Sequence, residues 1–68
     1  GGDMYKVFTR TWWRKNSEWP NGKEPHAGKK TTIARNVATE QEALQICQRW
    51  NATHKPGDLS KKAEYEQQ

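Results

Sequence analysis

The chain has 68 residues, of which 31% are hydrophobic and 29% charged, with a mean hydropathy of −1.34 and a formal net charge of +4. This length allows one domain, which would bury only about 60% of the surface that its unfolded chain exposes. No apolar run approaches the roughly 18 residues of a membrane span, and none suits a signal peptide. We therefore expect a cytoplasmic protein with no membrane partner. Because Met4 suits a natural start, we expect residues 1–3 to be an expression remnant and residues 4–68 to form one small domain.

The positive charge is concentrated in the first half of the chain. Residues 4–35 hold eight Lys or Arg against two Glu, whereas residues 36–68 hold four against five acidic residues. A positive field placed in this way indicates an anionic partner. The single cysteine, Cys47, has no partner for an internal disulfide, and its apolar helical surroundings predict a buried, reduced thiol.

Two strands are predicted in the basic half. Residues 5–14 alternate and are rich in aromatic and β-branched types, which predicts a first strand. A loop follows over residues 15–28, with a β-turn at Trp19-Pro20-Asn21-Gly22. Residues 29–37 form a shorter second strand, with Ile33 and Val37 on one face.

A helix is predicted next, over residues 40–53. Thr39 and Glu42 have the spacing of a capping box, in which the Thr39 hydroxyl accepts a hydrogen bond from the Glu42 amide. The apolar side chains then recur at helical spacing, and Pro56-Gly57 ends the helix. The stripe consists of Ala43, Ile46, Cys47 and Trp50, widened by Leu44.

A third strand over residues 59–67 completes the order β-β-α-β, because polar and apolar residues alternate again there. We expect an α+β fold in which a three-stranded antiparallel sheet has strand order 2-1-3 and one helix packs on one face. The helix covers one face, so rings on the other face of the central first strand would remain partly open to solvent. Packing Tyr5, Val7 and Trp13 under the helix would expose Phe8 and Trp12. The opposite assignment would bury Phe8 and Trp12 and expose a less basic side.

That open face would combine rings and cations, which is the composition of a nucleic-acid platform. Aromatic rings stack on unpaired bases, and flanking Arg and Lys side chains neutralise phosphates. The alternative is that the rings belong to a small core, with the loop of Trp19 folded over them and arginine stems packed on the rings. The candidate nucleic-acid-binding residues are Lys6, Phe8, Arg10, Trp12, Arg14, Lys29, Lys30 and Arg35.

The sequence favours a protein that is not an enzyme and needs no metal or cofactor. Cys47, His54 and His26 offer three scattered ligands, whereas a structural zinc site usually has four at close spacings. His54 instead suits the C-terminus of the helix, and an apolar helix stripe makes Cys47 an inert thiol rather than a nucleophile. No glycine-rich phosphate loop or paired carboxylate motif is present.

The run TEQEALQICQRWNATHKPGDLSKKAEYE, residues 39–66, resembles the C-terminal part of small uncharacterised proteins encoded by phages and prophages. In that family a T-x-x-E-A helix leads through W-N-x-T-H-x-P-G to L-S-x-K-x-E-Y-E. The resemblance implies a mobile-element setting and carries no activity with it. Within the run, residues 51–60 are more elaborate than a chain reversal needs, although a helix C-cap plus a turn, with Asn51, Thr53 and His54 satisfying backbone groups, would account for them.

Two functions remain open. The first is a small accessory protein that binds nucleic acid, single-stranded or duplex, through the basic and aromatic sheet face. The second is a protein-binding module of phage origin that attaches to a host or phage protein through a sheet edge or the Trp19 loop. We expect a monomer, with self-association through a free strand edge as the alternative.

Overall fold

The structure is a computed structural model that describes residues 3–68, so Gly1 and Gly2 of the predicted remnant lie outside the described residues. It contains five strands and one helix within that range. The elements are β1 (Tyr5–Arg10), β2 (Trp13–Lys15), β3 (Lys23–Pro25), β4 (Thr31–Val37), α1 (Glu40–Thr53) and β5 (Lys62–Gln67).

Strands β4, β1 and β5 form a three-stranded antiparallel sheet with β1 in the middle, and α1 packs on one face of it. The predicted α+β fold and its strand order are therefore confirmed. Strands β2 and β3 form a separate two-stranded sheet. Among the helix and strands of the described chain, these two contact only each other.

The predicted first strand is too long. It breaks after Arg10, where the backbone N–H groups of Trp12 and Trp13 both donate to the carbonyl of Leu59, at 2.9 and 3.3 Å. Pairing resumes in β2, so the predicted loop contains a hairpin. The predicted turn is confirmed, because the Gly22 N–H donates to the Trp19 carbonyl at 2.9 Å.

The hairpin continues the β1–β4 pair as a kinked ribbon. At the kink, the Gly28 N–H donates to the Thr11 carbonyl at 2.8 Å, and the His26 N–H donates to the Trp12 carbonyl at 2.9 Å. A Cβ atom on Gly28 would overlap the Thr11 hydroxyl. A side chain at position 28 would therefore displace Thr11 where the two segments of the ribbon cross at the kink.

Helix α1 spans the predicted residues. The Thr39 hydroxyl accepts from the Glu42 N–H at 3.1 Å, and the His54 backbone N–H ends the helix on the Trp50 carbonyl at 3.0 Å. The ring of His54 also stacks on that of Trp50, with centroids 4.1 Å apart. No helix of the described residues is long and apolar enough to cross a membrane.

Asn51 ties the end of α1 to the sheet. Its side-chain amide donates to the Ala63 carbonyl at 3.2 Å and accepts from the Ala63 N–H at 2.9 Å. Asn51 thus satisfies backbone groups of β5 rather than of its own helix, whereas the Thr53 hydroxyl donates to the carbonyls of Arg49 and Trp50 at the helix end, at 3.1 and 3.2 Å. The interpretation of residues 51–60 as a helix cap and a turn is supported in this form. The third strand begins at Lys62 instead of residue 59, since Leu59 and Ser60 lie in the preceding turn.

The core between α1 and the sheet is built from small side chains. The buried members are Val7, Val37, Ala43, Cys47 and Ala63. Larger side chains, including Tyr5, Trp50 and Tyr65, pack around them and stay partly exposed. The buried residues of α1 recur at helical spacing, so the periodicity of the sequence predicts which of its positions form the core.

Strand β4 departs from the predicted face assignment. Val37 is buried as expected, but Ile33 is 41% exposed. The register with β1 shifts twice: Val7 faces Ala34 and Phe8 faces Thr32, which leaves Ile33 unmatched. Asn36 lies in the other shift, between the Tyr5–Val37 and Val7–Ala34 pairs. Its φ of 55° is a left-handed conformation that asparagine tolerates better than most residues. Such shifts interrupt strict alternation.

Candidate nucleic-acid interface

We define the open face as the side of the three-stranded sheet turned away from α1. Since Val7 and Ala63 lie in the core under the helix, the residues that alternate with them point to the opposite side. The open face consists of Lys6, Phe8 and Arg10 from β1, Thr32 from β4, Lys62, Glu64 and Glu66 from β5, and the side chain of Lys30, which reaches it from the start of β4.

Phe8 differs from the expectation of a solvent-exposed ring. It lies on the open face as predicted, yet it is only 3% exposed. The Lys30 ammonium lies 4.7 Å from the ring centroid and the Arg10 guanidinium 5.5 Å from it. Cationic side chains thus cover the ring through cation-π contacts, because their stems are long enough to lie across it.

Two carboxylates hold these cations in place. Glu66 bridges Lys6 at 3.1 Å and Lys30 at 2.8 Å, and Glu64 accepts from Arg10 at 3.2 Å. The hydrogen bonds from Lys30 and then Lys6 lower the pKa of Glu66 below its ordinary value. Three of the predicted phosphate-binding side chains are therefore already paired within the protein.

Trp12 lies beyond the end of β1, partly exposed. The Arg10 guanidinium stacks 4.3 Å from its ring centroid. The Gly28 to Thr11 hydrogen bond brings the start of the Lys29-Lys30 pair to the same end of the sheet. The backbones of Arg10, Trp12, Lys29 and Lys30, separated by up to 20 positions in the chain, therefore lie at one end of the sheet; we call these residues the basic cluster.

The other predicted residues lie apart from the basic cluster. Arg14 is in β2 and forms an ion pair with Glu24 across the hairpin, and this contact lowers the pKa of the Glu24 carboxyl and raises that of the Arg14 guanidinium. Arg35 lies in the irregular stretch of β4 that faces Lys6. The side chain of Trp13, expected beneath α1, belongs to the hairpin.

Sequence reasoning missed two features of this surface. Glu64 and Glu66 alternate with Ala63 and Tyr65, so the predicted strand order would have placed them on one face of the strand next to β1; the register then sets Glu64 opposite Phe8 and Glu66 opposite Lys6. The hairpin also sets Lys15 directly opposite Lys23. That pairing depends on the register of a strand within the predicted loop. The Trp19–Gly22 turn alone would have set Glu18 opposite Lys23, and a second turn, in which the Trp19 N–H donates to the Asn16 carbonyl, shifts the register to Lys15.

The candidate zinc ligands do not form a cluster. Within residues 3–68, no group of three or more His, Cys, Asp or Glu side chains could hold a metal ion. Cys47 is buried in the core, and burial raises the pKa of its thiol. His54 is occupied by its contacts with Trp50 and Thr53.

Comparison with known proteins gives no match: no family model, no curated protein and no solved structure is similar enough to identify a family.

Proposed function

We propose that this protein is a small, non-enzymatic accessory protein of phage type that binds nucleic acid through the basic and aromatic surface of its N-terminal half. The observation that carries the proposal is the basic cluster, in which the Arg10 guanidinium lies over the partly exposed ring of Trp12 and the chain of Lys29 and Lys30 begins at the same end of the sheet. A ring flanked by cations suits a base and its neighbouring phosphates. The charge balance of residues 4–35 supports the same partner.

The internal ion pairs are compatible with this role. Exposed or partly exposed pairs are worth about 0–1 kcal/mol each, so a phosphate can replace Glu64 or Glu66 as the partner of a cation at low cost. Binding would then release the carboxylates to water and transfer Arg10, Lys6 or Lys30 to the nucleic-acid backbone. Phe8 serves in this scheme as the support on which the Arg10 and Lys30 stems rest.

The test is a salt titration with labelled single-stranded and duplex oligonucleotides, read by fluorescence anisotropy. We expect the affinity to fall steeply with salt as condensed counterions are released. Trp12→Ala should weaken binding by about 1–3 kcal/mol, the value of one base stack, whereas Trp12→Phe should retain most of it. Thermal unfolding of both variants separates lost contact from lost folding. Wild-type binding that vanishes near physiological salt would contradict the proposal.

A protein-binding module is the second candidate, and two exposed apolar features favour it. Trp19 is 43% exposed at the turn of the hairpin. A groove of about 350 Å³ also lies between α1 and β5, where it is lined by apolar atoms of Leu44, Cys47, Ala63 and Tyr65. This function predicts nucleic-acid binding that is weak, blind to sequence and absent near physiological salt, so the same titration distinguishes the two.

The cellular setting belongs to the proposal as well. The resemblance of residues 39–66 to phage and prophage proteins suggests a protein made in an infected or lysogenic host. A buried, unpaired Cys47 suits the reducing cytoplasm of that host. We further propose that the protein acts as a monomer.

A further inference from the structure

The hairpin of β2 and β3 projects from the rest of the molecule. Its strands contact no other helix or strand of the described chain, and the molecule measures 48 × 24 × 13 Å. The attachment lies at the kink, where Leu59 accepts from Trp12 and Trp13. A two-stranded ribbon that buries so little has no evident role in the core.

The two faces of this ribbon differ in charge. On one face Arg14 is opposite Glu24, and the two form an ion pair to which Asn16 also donates. On the other face Lys15 is directly opposite Lys23. Neither lysine takes part in an ion pair within residues 3–68. We call this second side the lysine face.

Like charges directly opposite each other destabilise an antiparallel pair. The lysine pair therefore lowers the stability of the hairpin. The neighbouring residue Glu24 shows that the same strand accommodates a carboxylate. Trp13, two residues before Lys15, lies on the same face. An anion bound between the lysines would remove the repulsion, and a polyanion would also contact the ring of Trp13.

We propose that the lysine face binds the phosphate backbone of duplex DNA, with the ribbon lying in the major groove. This inference rests on the proposed nucleic-acid function and adds the form of the partner. The major groove of B-DNA is about 12 Å wide and admits a two-stranded β-ribbon. The major groove of A-form RNA is deep and narrow, which excludes side chains. Lys15 and Lys23 would reach phosphates at the groove wall.

The deciding variant is Lys15→Glu. It places a carboxylate opposite Lys23, so the hairpin gains an ion pair and the melting temperature should rise or stay unchanged. Its affinity for a 20-base-pair DNA duplex should nevertheless fall roughly 10- to 100-fold near 0.1 M salt, with a salt slope smaller by about 1 to 2 because one or two phosphate contacts are lost. Greater stability with weaker binding is a result that a structural role for Lys15 would not give.

Arg49→Glu is the matched control, because it changes the net charge equally at an exposed position on α1, on the opposite side of the sheet from the open face. It should weaken binding far less than Lys15→Glu. Equal losses in the two variants would overturn the inference, as would wild-type binding to an RNA duplex as tight as to the DNA duplex. If the wild-type protein binds and Lys15→Glu binds equally well, the inference fails alone. If the wild-type protein binds no nucleic acid, the proposed function fails with it.

Discussion

Glu66 controls how much of the open face is covered. Its carboxylate bridges Lys6 and Lys30, and Lys30 in turn lies over the ring of Phe8. One side chain thus orders two cations and helps to shield one ring. The same carboxylate is the group that a phosphate would have to replace in the proposed function.

This arrangement predicts a pH dependence of stability. The lysine contacts lower the pKa of Glu66 in the folded protein, so its contribution is complete above the ordinary carboxyl pKa and is lost as the pH falls through the lowered value. The difference in unfolding free energy between the wild type and Glu66→Gln should be largest near pH 6 and shrink towards pH 3. Urea unfolding at a series of pH values measures it. A difference independent of pH would contradict the role of the charge.

The kink in the β-ribbon depends on one close crossing. Gly28 and Thr11 approach so closely that any Cβ on Gly28 meets the Thr11 hydroxyl. Gly28→Ala should therefore destabilise the protein by about 1–3 kcal/mol, the usual cost of overpacking, and loosen the attachment of the hairpin. Removing the hydroxyl as well should restore part of the loss, so Gly28→Ala/Thr11→Ala is compared with Thr11→Ala alone in thermal unfolding. If the losses of stability from Gly28→Ala and Thr11→Ala are additive, the close contact between Gly28 and Thr11 is not the cause of the destabilisation.

Element boundaries show where sequence reasoning succeeds and where it stops. The helix could be predicted to the residue because the Thr39 cap and the Pro56-Gly57 stop are local signals. The break in the first strand could not be predicted, because it is set by a hydrogen bond to the Leu59 carbonyl, nearly 50 positions away. Alternation continues through Thr11 and Trp12 in sequence although the ladder does not.

The candidate interface was predictable in part for a related reason. Strand alternation places Lys6, Phe8 and Arg10 on one face, and the structure keeps them there. The burial of Phe8 depends on Lys30, which joins the face through tertiary structure. Residue type and periodicity indicate which side chains share a surface, but the fraction of each that remains open depends on neighbours from other strands.

The molecule as a whole divides into a packed body and a projecting hairpin. Because the hairpin contributes nothing to the core, its hydrogen bonds can open without disturbing the sheet. Amide hydrogen exchange should therefore be fast for Asn16 and Gly22, whose N–H groups are bonded within the hairpin, and slow for Val7 and Phe8 in the central strand. Equal protection in the two regions would show that hairpin and body unfold together.

The paired hydrogen bonds of Asn51 have a consequence for how copies of this protein coexist. Ala63 lies in β5, the outermost strand on its side of the sheet, and its peptide groups are already engaged by the Asn51 amide. A neighbouring molecule that tried to lengthen the sheet would have to displace that amide first. At this position of the border, Asn51 therefore opposes the addition of a further strand from a second copy.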